Sequence, residues 1–314
     1  MSALADYGIE PTPLVRLERL APPGIHLFAK CEWHLPTGSV KDRVAAGMIA
    51  AAKAAGQLAP GLRLVEPSSG NTGIALARIT RLLGIPLTVL VPDNVSEERI
   101  RLLQAFGAEI EFTPGSEGSN GAVWRAEKLA EEGGFLMLHQ YENAANPGSH
   151  QMTTGPEISA QLAELGLGAP DAFVATLGTG GTLTGVGRHF RGLGSPTAIV
   201  AAEPPTGELI SGLRSLADGY VPPVFDPSVL DGKILVRTRT SIDMTRRLME
   251  EEGLFVGPSS GAAVHAALKF ARRLTPGAVV VTLLPDAGWK YLSTGIFDGT
   301  IDEAEARALG RTLW

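Results

Sequence analysis

One lysine is placed where its amine could be a nucleophile. Lys41 ends the stretch Pro36-Thr37-Gly38-Ser39-Val40-Lys41 and is followed by Asp42-Arg43 and an alanine-rich run that reads as a helix. The chain has only seven lysines, so candidates for imine chemistry are few. A lysine at the start of a helix meets the positive end of the helix dipole. That field, with burial, favours the neutral amine that imine formation needs. Taken alone, the position also reads as an ordinary exposed first-turn lysine.

Two small-residue clusters could hold anions, and a third reads as a helix cap. Glu66-Pro67-Ser68-Ser69-Gly70-Asn71-Thr72-Gly73 follows a strand-like segment and opens a helix-like one. Such a loop turns backbone N–H groups toward one spot and suits a carboxylate. Gly178-Thr179-Gly180-Gly181-Thr182 stands in the same context, with a phosphate as its natural guest. A dinucleotide fingerprint competes there. Glu203, ending the next strand, would hold a ribose, but Leu183 stands where the third fingerprint glycine belongs. In Gly257-Pro258-Ser259-Ser260-Gly261-Ala262 the default reading is an N-cap serine pair. The six histidines show no metal-ligand spacing, so no metal site is expected. Cys31, beside the apolar run Leu27-Phe28-Ala29, reads as a buried structural thiol.

The elements that must position these residues follow a regular rhythm. Segments 61–65, 86–91, 108–112, 171–177, 197–203, 234–237 and 278–284 read as strands. Helices are expected at 74–83, from Ser96 as N-cap with Glu97 and Glu98 in the first turn, and at 119–132, 182–191, 242–252 and 260–274. The alternation predicts parallel sheets wrapped by helices, in two α/β/α lobes with a cleft between them. Residues 141–155, with Asn143, Asn146, Pro147 and Gly148, read as a hinge of turns.

Composition bounds the function. The chain has 314 residues, 44% apolar and 19% charged, enough for two ordinary cores. Its formal net charge of −6 and scattered basic residues argue against nucleic acid. A single cysteine rules out an internal disulfide and fits a reducing compartment. Residues 1–10 lack the pattern of a signal peptide, and no run of about 18 apolar residues occurs. A soluble, cytoplasmic protein is therefore expected, with no membrane partner.

Together these clusters resemble the cysteine synthase and cystathionine β-synthase family of fold-type II pyridoxal-phosphate enzymes. The match also takes in Thr12-Pro13-Leu14-Val15, Lys30-Cys31-Glu32, Thr153-Thr154-Gly155-Pro156-Glu157-Ile158 and Tyr291-Leu292-Ser293-Thr294. The resemblance implies a tryptophan synthase β-like fold with mostly parallel sheets and pyridoxal 5'-phosphate in the interdomain cleft. It implies a smaller, mobile N-terminal lobe of 1–12 and 35–145, and a larger C-terminal lobe of 13–34 and 146–314. Lys41 would carry the cofactor as a Schiff base, and Asn71 would bond its phenolic oxygen. Gly178, Thr179, Gly180, Gly181 and Thr182 would hold its phosphate, and Ser259 would face its ring nitrogen. Ser68, Ser69, Asn71, Thr72 and Gln140 would bind the substrate.

Within the family, Glu203-Pro204, the stretch 212–220 and Asp286-Ala287-Gly288-Trp289-Lys290 resemble the O-phosphoserine sulfhydrylase branch. Pro258 and Gly180 depart from it. In that branch the arginine matching Arg214 binds the substrate phosphate. O-phosphoserine or O-acetylserine and sulfide are thus the expected small molecules. A small ubiquitin-like sulfur carrier, serine acetyltransferase and a second copy of the chain are the implied protein partners. The end Gly310-Arg311-Thr312-Leu313-Trp314 is similar to a tail that folds over the active site. O-acetylserine sulfhydrylase and cystathionine β-synthase-like activity are the alternatives within the family. A nicotinamide-dependent oxidoreductase is the alternative outside it.

Overall fold

The computed structural model describes residues 4–95 and 97–310. The Ser96 N-cap and the tail beyond residue 310 lie outside the described residues. In chain order the elements are β1 (Leu14–Arg16), β2 (His26–Cys31), α1 (Lys41–Ala54), β3 (Arg63–Glu66), α2 (Asn71–Leu83), β4 (Leu87–Pro92), α3 (Glu97–Ala105), β5 (Glu109–Thr113), α4 (Gly118–Glu132) and β6 (Phe135–Met137). They continue with α5 (Ala145–Ser149), α6 (Gly155–Glu164), β7 (Ala172–Thr176), α7 (Gly181–Gly192), β8 (Ala198–Glu203), β9 (Gly232–Leu235), α8 (Thr238–Glu252), α9 (Pro258–Ala271), β10 (Val279–Leu284) and α10 (Ile301–Gly310).

The chain divides into two compact units. The first contains the described residues up to Ile9 together with Lys41–Asn146. Its sheet runs β5-β4-β3-β6 and is parallel throughout. All six residues of β4 are buried, as expected of a central strand covered on both faces. Ala122, Ala126 and Leu129 of α4 pack on Val65 and Leu90. Helices α1 and α2 pack on one another.

The second unit contains Glu10–Val40 and the residues from Pro147 onward. Its sheet runs β1-β2-β10-β7-β8-β9, parallel except for the edge strand β1. Successive side chains of a strand point to opposite faces, and here both faces are apolar. Ala172 and Val174 enter one core with Val200, Val280 and the α9 residues Val264 and Ala267. Phe173 and Ala175 enter the other with Ile199, Val281 and the helical residues Leu162, Val186 and Phe190. This two-sided burial explains why the strands read as near-continuous apolar runs.

Within the expected hinge at 141–155, residues 141–144 form turns and the boundary between the two units falls between Asn146 and Pro147, but the segment is helical from Ala145 onward. α5, a π-helical turn at His150–Thr154 and α6 follow one another without a break. Pro147 falls in the first turn of α5, where a missing N–H has no intrahelical bond to lose. The strand β6 was not expected, because three residues are too few to show alternation. The helix predicted at 260–274 starts at Pro258 and stops at Ala271.

A buried ionic cluster ties β2 to α6 within the second unit. Lys30 Nζ lies 2.7 Å from Glu157 Oε2, and donates to Thr12 O at 2.6 Å and Gln161 Oε1 at 2.8 Å. Beside it, Cys31 is fully buried, and burial pushes its thiol up to about 12. The thiol is therefore inert packing, as its sequence context suggests.

Two outcomes follow. Lys30→Ala leaves Glu157 without its buried cation and should cost about 3–5 kcal/mol, read as a lower chemical-denaturation midpoint. Native protein at neutral pH should resist iodoacetamide, and one alkylation per chain should appear only in denaturant, counted by intact mass.

Candidate active site

In the first unit the candidate residues gather at helix starts. Lys41 is the first, half-buried residue of α1. Within the second unit, the residues that lead up to it are bonded to backbone, Val40 N–H to Pro285 O at 2.8 Å and Gly38 O to Ala287 N–H at 3.2 Å. Asn71 opens α2 after the N-cap Gly70. The loop before it doubles back tightly. A Cβ on Gly73 would lie 1.8 Å from Ser68 O, so only glycine permits this path. Ser69 and Thr72 are buried, and Ser68 and Asn71 half-buried. Thr72 Oγ1 donates to Gln140 Oε1 at 2.7 Å, which joins Gln140 to this loop across 68 residues. The amide NH2 of Gln140 then remains to donate elsewhere.

Glu66, the last residue of β3, was read only as part of the loop. It is buried, and its carboxylate accepts the His139 N–H at 3.3 Å. Burial pushes its carboxyl up to about 7, against the backbone bonds from His139, Gln140 and Leu138 that pull it down.

In the second unit, 178–182 links β7 to α7. Gly180 caps α7 with φ +81°, and a Cβ there would sit 2.6 Å from the Phe225 ring. A Cβ on Gly178 would sit 2.6 Å from Gly212 O. Gly181 N–H donates to Thr179 Oγ1 at 3.3 Å. The first-turn N–H groups of a twelve-residue helix, bare glycine backbone and two threonine hydroxyls fit a phosphate. Residues 212–214 run along this loop, and Arg214 N–H donates to Leu177 O at 2.8 Å. The Arg214 guanidinium lies over the Tyr220 ring, 5.3 Å from its centroid.

His150 was passed over as an ordinary structural histidine. It is buried, with Nε2 3.3 Å from Thr182 Oγ1 and Nδ1 2.9 Å from Thr154 Oγ1. It thereby steadies one hydroxyl of the loop. The only signal in the sequence was its place just before Thr153-Thr154-Gly155.

The serine pair before α9 is not a cap. Gly257 is the N-cap, and Ser259 and Ser260 are buried in the first turn. Nearby, Gly257 N–H donates to Asp286 O at 3.0 Å and Tyr291 Oη to Asp286 Oδ2 at 2.7 Å. A buried hydroxyl at a helix start can meet a neutral ring atom without adding charge.

Glu203 does not serve a ribose. It is buried, with one oxygen 2.8 Å from Lys233 Nζ and the other accepting Leu216 N–H at 3.1 Å. Leu183 is buried in the α7 core. Among the described residues, no group of three or more His, Cys, Asp or Glu side chains could hold a metal ion. No helix among them is long and apolar enough to cross a membrane.

Comparison with known proteins shows the family. The family described as pyridoxal-phosphate dependent enzyme matches residues 5–286. Cysteine synthase of Staphylococcus aureus (strain Mu50) is 42% identical over 294 residues, covering 91% of this chain and 94% of its own. Cysteine synthase B of Salmonella typhimurium is 43% identical over 293 residues, covering 93% and 95%. Among solved structures, an O-ureido-L-serine synthase superposes with a TM-score of 0.87 at 39% identity, covering 97% of this chain and 98% of its own. The chain therefore belongs to the fold-type II pyridoxal-phosphate dependent enzymes, in the group of the cysteine synthases.

Proposed function

We propose that the protein is a cysteine synthase that replaces the β-substituent of O-phospho-L-serine, with O-acetyl-L-serine as the alternative substrate, to give L-cysteine. The observation that carries this reading is the glycine-and-threonine loop at the start of α7, with Arg214 anchored on the residue before it. Pyridoxal phosphate, when bound, supplies a carbonyl for an amine and a conjugated ring that takes up the electron pair from Cα.

The chain's residues divide the remaining work. Lys41 Nζ would hold the cofactor through its carbonyl carbon and would serve as the base for the substrate's Cα proton. Residues 178–182 would hold the cofactor's phosphate through N–H groups and hydroxyls. Asn71 holds its phenolic oxygen. Ser259 places a hydroxyl at the ring nitrogen and so leaves that atom largely without a proton. Ser68, Ser69, Thr72 and Gln140 fix the substrate carboxylate in an orientation that exposes Cα to the lysine.

Arg214 gives the preference for the phosphate ester. A guanidinium fork binds a dianionic phosphate through two parallel bonds, and an acetyl ester needs no cation. The parallel proposal for partners is a second copy of the chain and a protein thiocarboxylate as sulfur donor in place of sulfide.

Steady-state cysteine formation tests this reading. A charge-assisted hydrogen bond contributes about 1.5–3 kcal/mol. Arg214→Ala should thus lower kcat/KM for O-phosphoserine by about ten- to a hundredfold and change O-acetylserine by less than about threefold. Equal losses on both esters remove the phosphate assignment. Hydride reduction of the holoprotein should fix the cofactor's mass on the peptide containing Lys41, and Lys41→Ala should form no cysteine. An adduct on another lysine overturns the assignment of Lys41.

A further inference from the structure

Gln140 sits in an unusual piece of backbone. His139, directly before it, has φ +57°, and is the one non-glycine residue with positive φ among those described. A β-substituted residue adopts this conformation only where its surroundings hold it. The carbonyls of the turn are all engaged. Leu138 O accepts Asn143 Nδ2 at 2.9 Å, and Gln140 O accepts Asn146 Nδ2 at 2.8 Å. His139 O accepts the N–H groups of Glu142 at 2.9 Å and Asn143 at 3.0 Å.

The His139 N–H is taken by a carboxylate: Glu66 Oε2 accepts it at 3.3 Å. Glu66 is 1% exposed. Burying a carboxyl this deeply is costly, and the hydrogen bond from His139 N–H offsets part of that cost. Glu66 also ends the strand that leads into the Ser68-Ser69-Gly70-Asn71-Thr72 loop, and Thr72 holds Gln140 from its other side. One carboxylate therefore grips the backbone under Gln140 from the base of the loop that shares its task.

We infer that Glu66 is a positioning residue for the substrate carboxylate: by holding the His139 N–H it fixes the left-handed turn that aims the Gln140 amide. The inference rests on the proposed role of Gln140. Glu66 itself touches no reacting atom. A glutamine at this position would offer one acceptor oxygen and could instead set its NH2 group against the His139 N–H. The turn would then relax toward ordinary φ and carry Gln140 away.

Binding of L-alanine to the holoenzyme tests it, because alanine has the carboxylate and amine but no β-leaving group. The dissociation constant is read from the change in the cofactor's visible absorption. Glu66→Gln and Gln140→Ala should each weaken binding tenfold or more, with cofactor content unchanged. The double variant should be no more than threefold weaker than Gln140→Ala alone, since both changes remove one interaction. His139→Gly, which adopts the turn without steric cost, should restore part of the loss in Glu66→Gln.

Losses that multiply in the double variant would mean that Glu66 acts on the fold in general and would overturn the inference. So would Glu66→Gln binding alanine as wild type does. Gln140→Ala binding as wild type does would remove the role of Gln140, and this inference with it. If Glu66→Gln gives no folded holoenzyme, Glu66→Asp, which withdraws the charge by one methylene, goes through the same cycle under the same criteria.

Discussion

Parallel strand order is the constraint on which the rest of the structure depends. A parallel β–α connection delivers each helix start to the carboxyl edge of its sheet, where the first-turn N–H groups have no partner within the helix. In the first unit this places Asn71 and its serine-rich loop directly after β3. In the second it places residues 178–182 directly after β7. Lys41 and Ser259 likewise fall in the first turns of α1 and α9. The loops at 68–72 and 178–182 share a location type because each follows a parallel strand, whereas Ser259 reaches a first turn after the helix α8. Two-sided burial fixes the topology in turn. Phe173 and Val174 enter opposite cores, so a slip of one residue in β7 would exchange a phenyl ring and an isopropyl group between two packed layers.

What the sequence revealed and what it hid divide along the range of the interactions. The loops were legible because their chemistry is local. Glycine and serine accumulate wherever the backbone must come close to itself or to a ligand, as at Gly73 over Ser68 O and Gly180 under Phe225. The alternating strands and helices were legible for the same reason, since each apolar run reports its own burial. The helical character of 145–155 was missed because asparagine, proline and glycine carry two meanings. Pro147 fits the first turn of a helix as well as a turn, and Asn143 and Asn146 spend their amides on the carbonyls of 138 and 140. The serines at 259 and 260 were read as caps because a glycine N-cap leaves no trace in a cluster already rich in glycine.

Residues that act at long range left no local mark. His150 meets Thr182 across 32 positions, and Glu66 meets His139 across 73. Neither pairing has a periodicity, and a buried glutamate ending a strand reads in sequence as the start of a polar loop. The same holds for Glu203, whose spacing from the glycine loop suggested a ribose partner. Its oxygens instead hold Lys233 and the Leu216 N–H. Spacing locates an acid, but only the fold says which donors reach it.

Net charge limits how this chain can bind anions at all. At −6 its overall field repels a phosphate or a carboxylate, so attraction must come from fixed donors at close range. The loops at 68–72 and 178–182 supply such donors as N–H groups and hydroxyls, which carry no net charge. Dipoles of this kind fall off steeply with distance, and they accept any anion that fits the cradle. They can orient a carboxylate or seat a phosphate, but a strong ranking of an anionic ester above a neutral one is more than their partial charges supply. That ranking requires a full charge whose position is set by the same backbone. Under the proposed reading Arg214 would meet the requirement: its N–H is bonded to Leu177 O, the residue from which the loop departs, and its guanidinium lies over the Tyr220 ring. On that reading, binding by dipoles and selection by one anchored cation would be separate tasks, and the second could change without disturbing the first.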